Sequence, residues 1–345
     1  MENKMRKVTW SPFAHSGNSV NMAMLDVIIS LIPVIIASVL FFRMGSVLVL
    51  LTTTASAVAF EYISRLVLKR YNSCQDLSAV VTGLILGLTL PPSTPLIIAV
   101  LGSLIAIVVV KQLFGGIGNN VFNPAAAARA FLLIAFSVPL TNWVNPMTST
   151  YVDATTSATP LSLVKTVMMN IKTGDMEAAR TAYSVIESNS WGLIKLLFTG
   201  EVAGSLGETS AIAIIIGLIY LIVKKRIHTE IVTSYVGSAF LVTVILSLVY
   251  DLGPLFPLIS ILAGSLLFGA VFMATDWVTS PMTKKGRIIF GIGLGVLTIV
   301  IRTFSNFPEG VVFSILIMNM VTPLIDRHTG NRIFGKVKVK SNEKK

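Results

Sequence analysis

The chain has 345 residues, of which 54% are hydrophobic and only 12% are Asp, Glu, Lys or Arg, about half the charge of a soluble domain, where roughly 25% is usual. Its mean hydropathy of +0.81 agrees, and together these values exclude a soluble enzyme and indicate an all-α polytopic membrane protein. The net charge of +11 does not signal nucleic acid, because the basic residues cluster in short segments between apolar runs, the cytoplasmic bias expected of membrane proteins.

Residues 1–22 contain Lys4, Arg6 and Lys7 followed by polar Ser16 to Asn21. With no apolar core to follow the basic residues, this segment reads as a cytoplasmic arm, not a cleaved signal. A spanning helix needs about 20 mostly apolar residues. Candidate runs fall at 23–42, 47–68, 78–90, 96–114 and 121–138, and again at 208–223, 229–250, 256–275, 286–303 and 309–325. The sequence thus predicts about ten spans in two five-helix repeats, 23–138 and 206–326, separated by an insertion at 139–205 and followed by a basic tail, 327–345.

At an offset of 190 residues, Gly17 falls on Gly207, Glu61 on Asp251, Thr89 on Thr279 and Pro91 on Pro281. An odd number of spans per repeat requires the repeats to be inverted, as in many transporters with broken helices around a central site. The segments 78–95, 113–124, 274–283 and 305–310 are the expected breaks; such breaks persist in a bilayer only when buried in protein or facing water. With the N-terminus inside, 20 of the 27 basic residues lie inside. Both termini are then cytoplasmic and 139–205 lies outside the cytoplasmic membrane of a bacterium or archaeon.

The single cysteine, Cys74, excludes an internal disulfide and any metal site built from several cysteines of this chain. It reads as a packing residue or as one ligand of an iron–sulfur cluster shared with a second subunit. Acidic residues near or within the spans are Asp26, Glu61, Asp76, Glu208, Asp251, Asp276, Glu309 and Asp326. Intramembrane acids mark ion or proton routes by default, although most of these stand near helix ends, where capping suffices. Asp76, Glu208 and Asp276 adjoin the breaks and are the preferred ion-pathway candidates. Arg129, in an apolar run, requires a compensating partner. The insertion carries a hydroxyl-rich tract, Tyr151-Val-Asp-Ala-Thr-Thr-Ser-Ala-Thr-Pro-Leu-Ser162, which on its residues alone is a turn or helix start with Thr159 or Ser162 as N-cap.

Three segments carry a family resemblance: Gly115-Gly-Ile-Gly-Asn-Asn-Val-Phe-Asn-Pro-Ala-Ala-Ala-Ala-Arg-Ala130, Gly204-Ser-Leu-Gly-Glu-Thr-Ser210 and Ala274-Thr-Asp-Trp-Val-Thr-Ser-Pro281. With the hydroxyl tract, the whole chain resembles the NqrB/RnfD family, the large membrane subunits of sodium-translocating NADH:quinone reductase and of the Rnf ferredoxin:NAD oxidoreductase, and is most similar to the RnfD branch. That resemblance implies FMN bound through a phosphoester to the last threonine of a Ser/Thr-Gly-Ala-Thr motif. Here the motif reads Thr156-Ser157-Ala158-Thr159, with Ser157 in the place of glycine and Thr159 as the attachment residue. It further implies a second, noncovalent flavin (riboflavin or FMN). On the residues themselves, Asp153 is a candidate for orienting the attachment segment, for meeting the flavinylating enzyme or for capping a turn. Arg129 is the preferred counter-charge for the phosphate or else an ion-pair or carbonyl partner within the bundle, and Asn123 is a further cofactor-binding candidate. Lys165 and Lys172 are alternative counter-charges for the phosphate. The implied partners are other Rnf/Nqr subunits, including a second covalent-flavin subunit and small membrane subunits, together with a flavin transferase and Na⁺ or H⁺. A standalone inverted-repeat channel or secondary transporter without flavin fits the hydropathy equally well.

Overall fold

The computed structural model describes residues 19–69, 74–146, 159–187, 190–305, 307 and 309–330, and every described element of length is a helix. α1 runs Val20–Val67, with non-helical backbone at Arg43 (φ 51°, ψ −128°). α2 is Ser78–Thr89, and α3 is Leu96–Leu104 continued by π-helical turns, Ile105–Gln112. α4 is Pro124–Ala135. The insertion supplies α5 (Pro160–Lys172), α6 (Met176–Glu187) and α7 (Ser190–Thr199). α8 (Ala211–Val223) and α9 (Thr229–Val249) follow. α10 is a pair, Phe256–Leu262 and Leu266–Met273, bent by 61°; α11 is Lys284–Phe304 and α12 is Val311–Thr329.

Local chemistry fixes the helix starts. Ser19, Asn123, Thr159, Ser210 and Thr283 each accept a first-turn backbone N–H, filling donors that a helix leaves unpaired. Pro124 and Pro160 occupy first helical positions, where a missing N–H costs nothing.

The ten spans in two inverted repeats are not what the structure contains. Among the described residues, four helices are long and apolar enough to cross a membrane, α1, α9, α11 and α12, or five if the bent α10 pair counts as one span. The runs at 78–90, 96–114, 121–138 and 208–223 fold into helices of 10–17 residues, short of the ~20 that spanning takes. The runs 23–42 and 47–68 belong to one helical stretch, α1. Hydropathy counts apolar residues, whereas the glycines, prolines and asparagines between them decide how long a helix lasts. The offset pairing fails at its most telling point: Glu61 is completely buried, but the side chain of Asp251 is 91% exposed.

Small residues let the helices approach. A Cβ on Gly83 would stand 2.7 Å from Thr54 Cα, and one on Gly87 2.5 Å from Thr53 Oγ1, so α2 lies directly on α1. On α11, Gly291 faces Ser234, and Gly295 faces Ser238 and the Tyr235 carbonyl of α9. Such small-residue stripes supply close packing where lipid removes the hydrophobic drive between helices. A large apolar core joins both ends of the chain, from Leu31 to Ile325. A second one packs Val167, Met168, Tyr183 and Ile186 of the insertion against Phe256 and Ile259 of α10, tying the insertion to that bent helix. Leu51, Leu241 and Leu248 are exposed on the outer faces, as lipid contact requires.

Gly295→Leu is expected to destabilise the protein by about 1–3 kcal/mol, the usual cost of overpacking, because a Cβ there already lies 2.6 Å from the Tyr235 carbonyl. A thermal melt in detergent reads this as a lower Tm; an unchanged Tm means that α9 and α11 do not pack through this stripe.

Candidate functional site

Charged groups inside the bundle pair across long stretches of chain. Lys111 Nζ lies 2.5 Å from Glu61 Oε2 and donates to Ser78 Oγ at 2.6 Å, with lysine and glutamate side chains 3% and 0% exposed. Ser78 in turn donates to Asp76 through both its hydroxyl and its backbone N–H, so polar groups run from Asp76 to Glu61. Asp26 accepts from Arg226 Nε at 2.6 Å and from Tyr220 OH at 2.9 Å. Trp277 Nε1 donates to the Arg226 carbonyl at 2.7 Å.

Between these pairs lies a cavity of about 380 Å³, walled by apolar residues of α1, α2 and α10 and carrying Lys111, Arg226, Asn120, Asn123 and Asp276 among its polar lining. That is within the usual range of small-molecule sites, about 300–1,000 Å³. Asn123 caps α4 and donates to the Met273 carbonyl at 3.0 Å, tying α4 to the end of α10. Asp276 accepts from Val278 N–H and from Thr279 Oγ1, each at 3.3 Å.

A second charged cluster lies apart from these pairs. Arg129 is wholly buried, with Nη2 3.5 Å from Glu309 Oε1, and Ser265 Oγ donates to Glu309 Oε2 at 3.4 Å. Glu208 takes Ser205 N–H at 2.6 Å, while its other oxygen is buried without a hydrogen-bond partner. The loop bearing it is docked on α2 by Leu206 N–H to the Leu90 carbonyl (3.1 Å) and Gly207 N–H to the Leu88 carbonyl (2.6 Å). Arg302 of α11 donates through Nη1 to the Ser260 carbonyl at 2.8 Å.

Thr159 is 7% exposed and caps α5, its Oγ1 accepting from Ser162 N–H at 3.0 Å while Ser162 Oγ donates to the Thr159 carbonyl at 2.7 Å. Lys165 lies one to two turns further along, where burial lowers its pKa; Lys172 donates to the Phe304 carbonyl. Asp153 and the motif residues Thr156, Ser157 and Ala158 lie outside the described residues, as does the side chain of Cys74.

The sequence candidates therefore divide among three places. Asp276 and Asn123 line the cavity, and Asp76 reaches it through Ser78. Glu208 and Arg129 belong to the second cluster, and Thr159 stands at the head of α5. Arg129 is engaged with Glu309. Sequence reasoning missed the Glu61–Lys111 and Asp26–Arg226 pairs and the inward position of Arg302. A signal existed in each case, since a charge at the edge of an apolar run demands a partner, but the partners are 50 and 200 residues apart in the two pairs. Among the described residues, no three His, Cys, Asp or Glu side chains are grouped to hold a metal ion.

Long apolar helices enclosing paired charges and a part-polar cavity define a multi-pass membrane protein of the charge-moving kind. The chain belongs to the NQR2, RnfD, RnfE family, whose model matches residues 7–335, and is accordingly a membrane component of an Rnf-type, redox-driven ion-translocating complex, associated with other Rnf/Nqr subunits. It is 40% identical over 343 residues to the D component of the Na(+)-translocating ferredoxin:NAD(+) oxidoreductase complex of Acetobacterium woodii, covering 98% of each chain. It is 38% identical to the D component of the proton-translocating ferredoxin:NAD(+) oxidoreductase complex of Clostridium ljungdahlii, covering 95% of this chain and 96% of the relative. It is 37% identical to the D component of the ion-translocating oxidoreductase complex of Stutzerimonas stutzeri, covering 92% and 93%.

Lys111→Met takes the lysine charge away from buried Glu61 and is expected to cost about 3–5 kcal/mol, whereas Lys111→Met with Glu61→Gln recovers most of it. Denaturation of the two variants beside each single change checks this; additive losses dispose of the pair as a coupled unit.

Proposed function

We propose that this chain is the flavin-bearing RnfD component of a ferredoxin:NAD-type complex, with FMN joined to Thr159 by a phosphoester and electron transfer coupled to Na⁺ or H⁺ movement. The observation that carries the reading is the place of Thr159. The last residue of a Thr-Ser-Ala-Thr sequence caps a 13-residue helix, putting its hydroxyl at the positive end of the helix dipole, where an anionic group is stabilised. The protein's part is attachment and electrostatics, while the bound flavin supplies the electron-carrying chemistry.

Asp153 belongs to the attachment segment, and Asn123, which lines the 380 Å³ cavity, serves a noncovalent flavin there. Arg129 sets the field around the cofactor region from within its pair with Glu309. Asp76, Glu208 and Asp276 serve the ion route. The termini are assigned to the cytoplasmic side of a bacterial or archaeal membrane and 139–205 to the other side, where a flavin transferase modifies Thr159. A second covalent-flavin subunit and small membrane subunits exchange electrons with it.

The chain is to be expressed with its flavin transferase, denatured and viewed in-gel for flavin fluorescence. Fluorescence mapping to the 151–162 peptide and abolished by Thr159→Val is expected. A dark band beside a fluorescent control protein would return Thr159 to a simple cap and favour a flavin-free transporter.

A further inference from the structure

Arg302 is the residue whose chemistry the bundle leaves incomplete. Its side chain is 8% exposed, and only Nη1 has a hydrogen-bond acceptor, the Ser260 carbonyl. Nε and Nη2 are buried with no hydrogen-bond partner. A guanidinium presents five donors and no acceptor, and a buried donor left unmet is costly, so its remaining N–H groups call for an acceptor with several oxygens.

One of them, Nη2, lies near the side chain of Leu161 in the first turn of α5. A Cβ placed on Gly264, at the bend of α10, would lie 3.0 Å from Arg302 Nη2 and 2.8 Å from Leu161 Cδ2, so the guanidinium and the second residue of α5 meet across that glycine. Leu161, Lys165, Ser260 and Arg302 line one narrow cleft of about 20 Å³, room for a water but not for a phosphate. A phosphate would therefore lie outside this cleft, beside the first turn of α5. The acids nearest in charge are Glu309 and Glu208, and no hydrogen bond joins either to Arg302 among the described residues.

We propose that Arg302 is the positioning residue for the phosphoester carried by Thr159, and that together with the N-terminus of α5 it forms a phosphate-binding site. This rests on Thr159 being the flavin attachment residue. The ester phosphate keeps one negative charge and free oxygens. Arginine matches them directly or through one water, and such charge-assisted bonds are among the strongest available to an anion. Gly264, with φ of +77°, serves the site by having no side chain to drive between Arg302 and Leu161.

The test uses the assembled complex made with its transferase, in wild-type, Arg302→Gln and Arg302→Lys forms, with two readouts. The first is covalent flavin per complex by in-gel fluorescence. The second, in a Thr159→Val background that leaves the site free, is the rise in Tm given by inorganic phosphate. Arg302→Gln is expected to lower flavin content by about tenfold, the scale of one lost charge-assisted bond, and to abolish the phosphate-dependent rise. Arg302→Lys is expected to restore part of both, which a residue needed only for packing would not do. Normal flavin content and an intact phosphate response in Arg302→Gln overturn the proposal while leaving Thr159 as the attachment residue. A dark wild-type band overturns both readings. If Arg302→Gln does not assemble, Arg302→Lys decides: a retained phosphate response supports the site, and its loss in an intact complex refutes it.

Discussion

The interior of this protein is organised by the cost of placing charge where water is scarce. An unpaired ion in the low-dielectric core loses far more than folding can readily spare, so charges placed there are driven to meet opposite ones. Glu61 finds Lys111, Asp26 finds Arg226 and Arg129 finds Glu309. The last two join the first half of the chain to the second. The same requirement that makes the charges tolerable thus brings distant parts of the sequence together, and the glycine and serine stripes of α2, α9 and α11 then close the remaining distance.

Around those pairs the functional parts fall into layers. The cavity lies between the Asp26–Arg226 and Glu61–Lys111 pairs, with Asn123 acting both as helix cap and as a strut to Met273. The Arg129–Glu309 cluster lies beside the bend of α10, and the second core packs α5, which Thr159 caps, against α10. The cavity, the buried charge cluster and the capped start of α5 thus occupy different places, and the bent α10 touches all three.

Much of this is legible in the sequence. Composition alone places the chain in the membrane class, and the hydroxyl tract and the Asn-Pro-Ala-Ala segment lead to the family. The hydroxyl tract reads as a helix start with Thr159 or Ser162 as its cap, and the structure has Thr159 capping α5. The span count fails for a physical reason: a hydropathy window cannot tell a 20-residue helix from a 12-residue helix followed by apolar turns, as at Ser78–Thr89 and Leu90 to Pro92. Buried pairing is illegible because nothing local to Lys111 or Arg226 specifies which distant carboxylate answers it. Arg302 escapes notice because nothing near it in the sequence indicates that it turns inward, to the Ser260 carbonyl of α10.

The short α2 has a consequence of its own. Twelve residues rise only about 18 Å, against a hydrocarbon layer of about 30 Å, and the helix is finished by the backbone of residues 206 and 207, not by another turn. Leu88, Leu90 and Leu206 at that junction are completely buried, so the helix ends inside packed protein. The rest of the hydrocarbon thickness is then covered by side chains of other segments, and the length of α2 is tied to the docking of the Leu206–Gly207 loop.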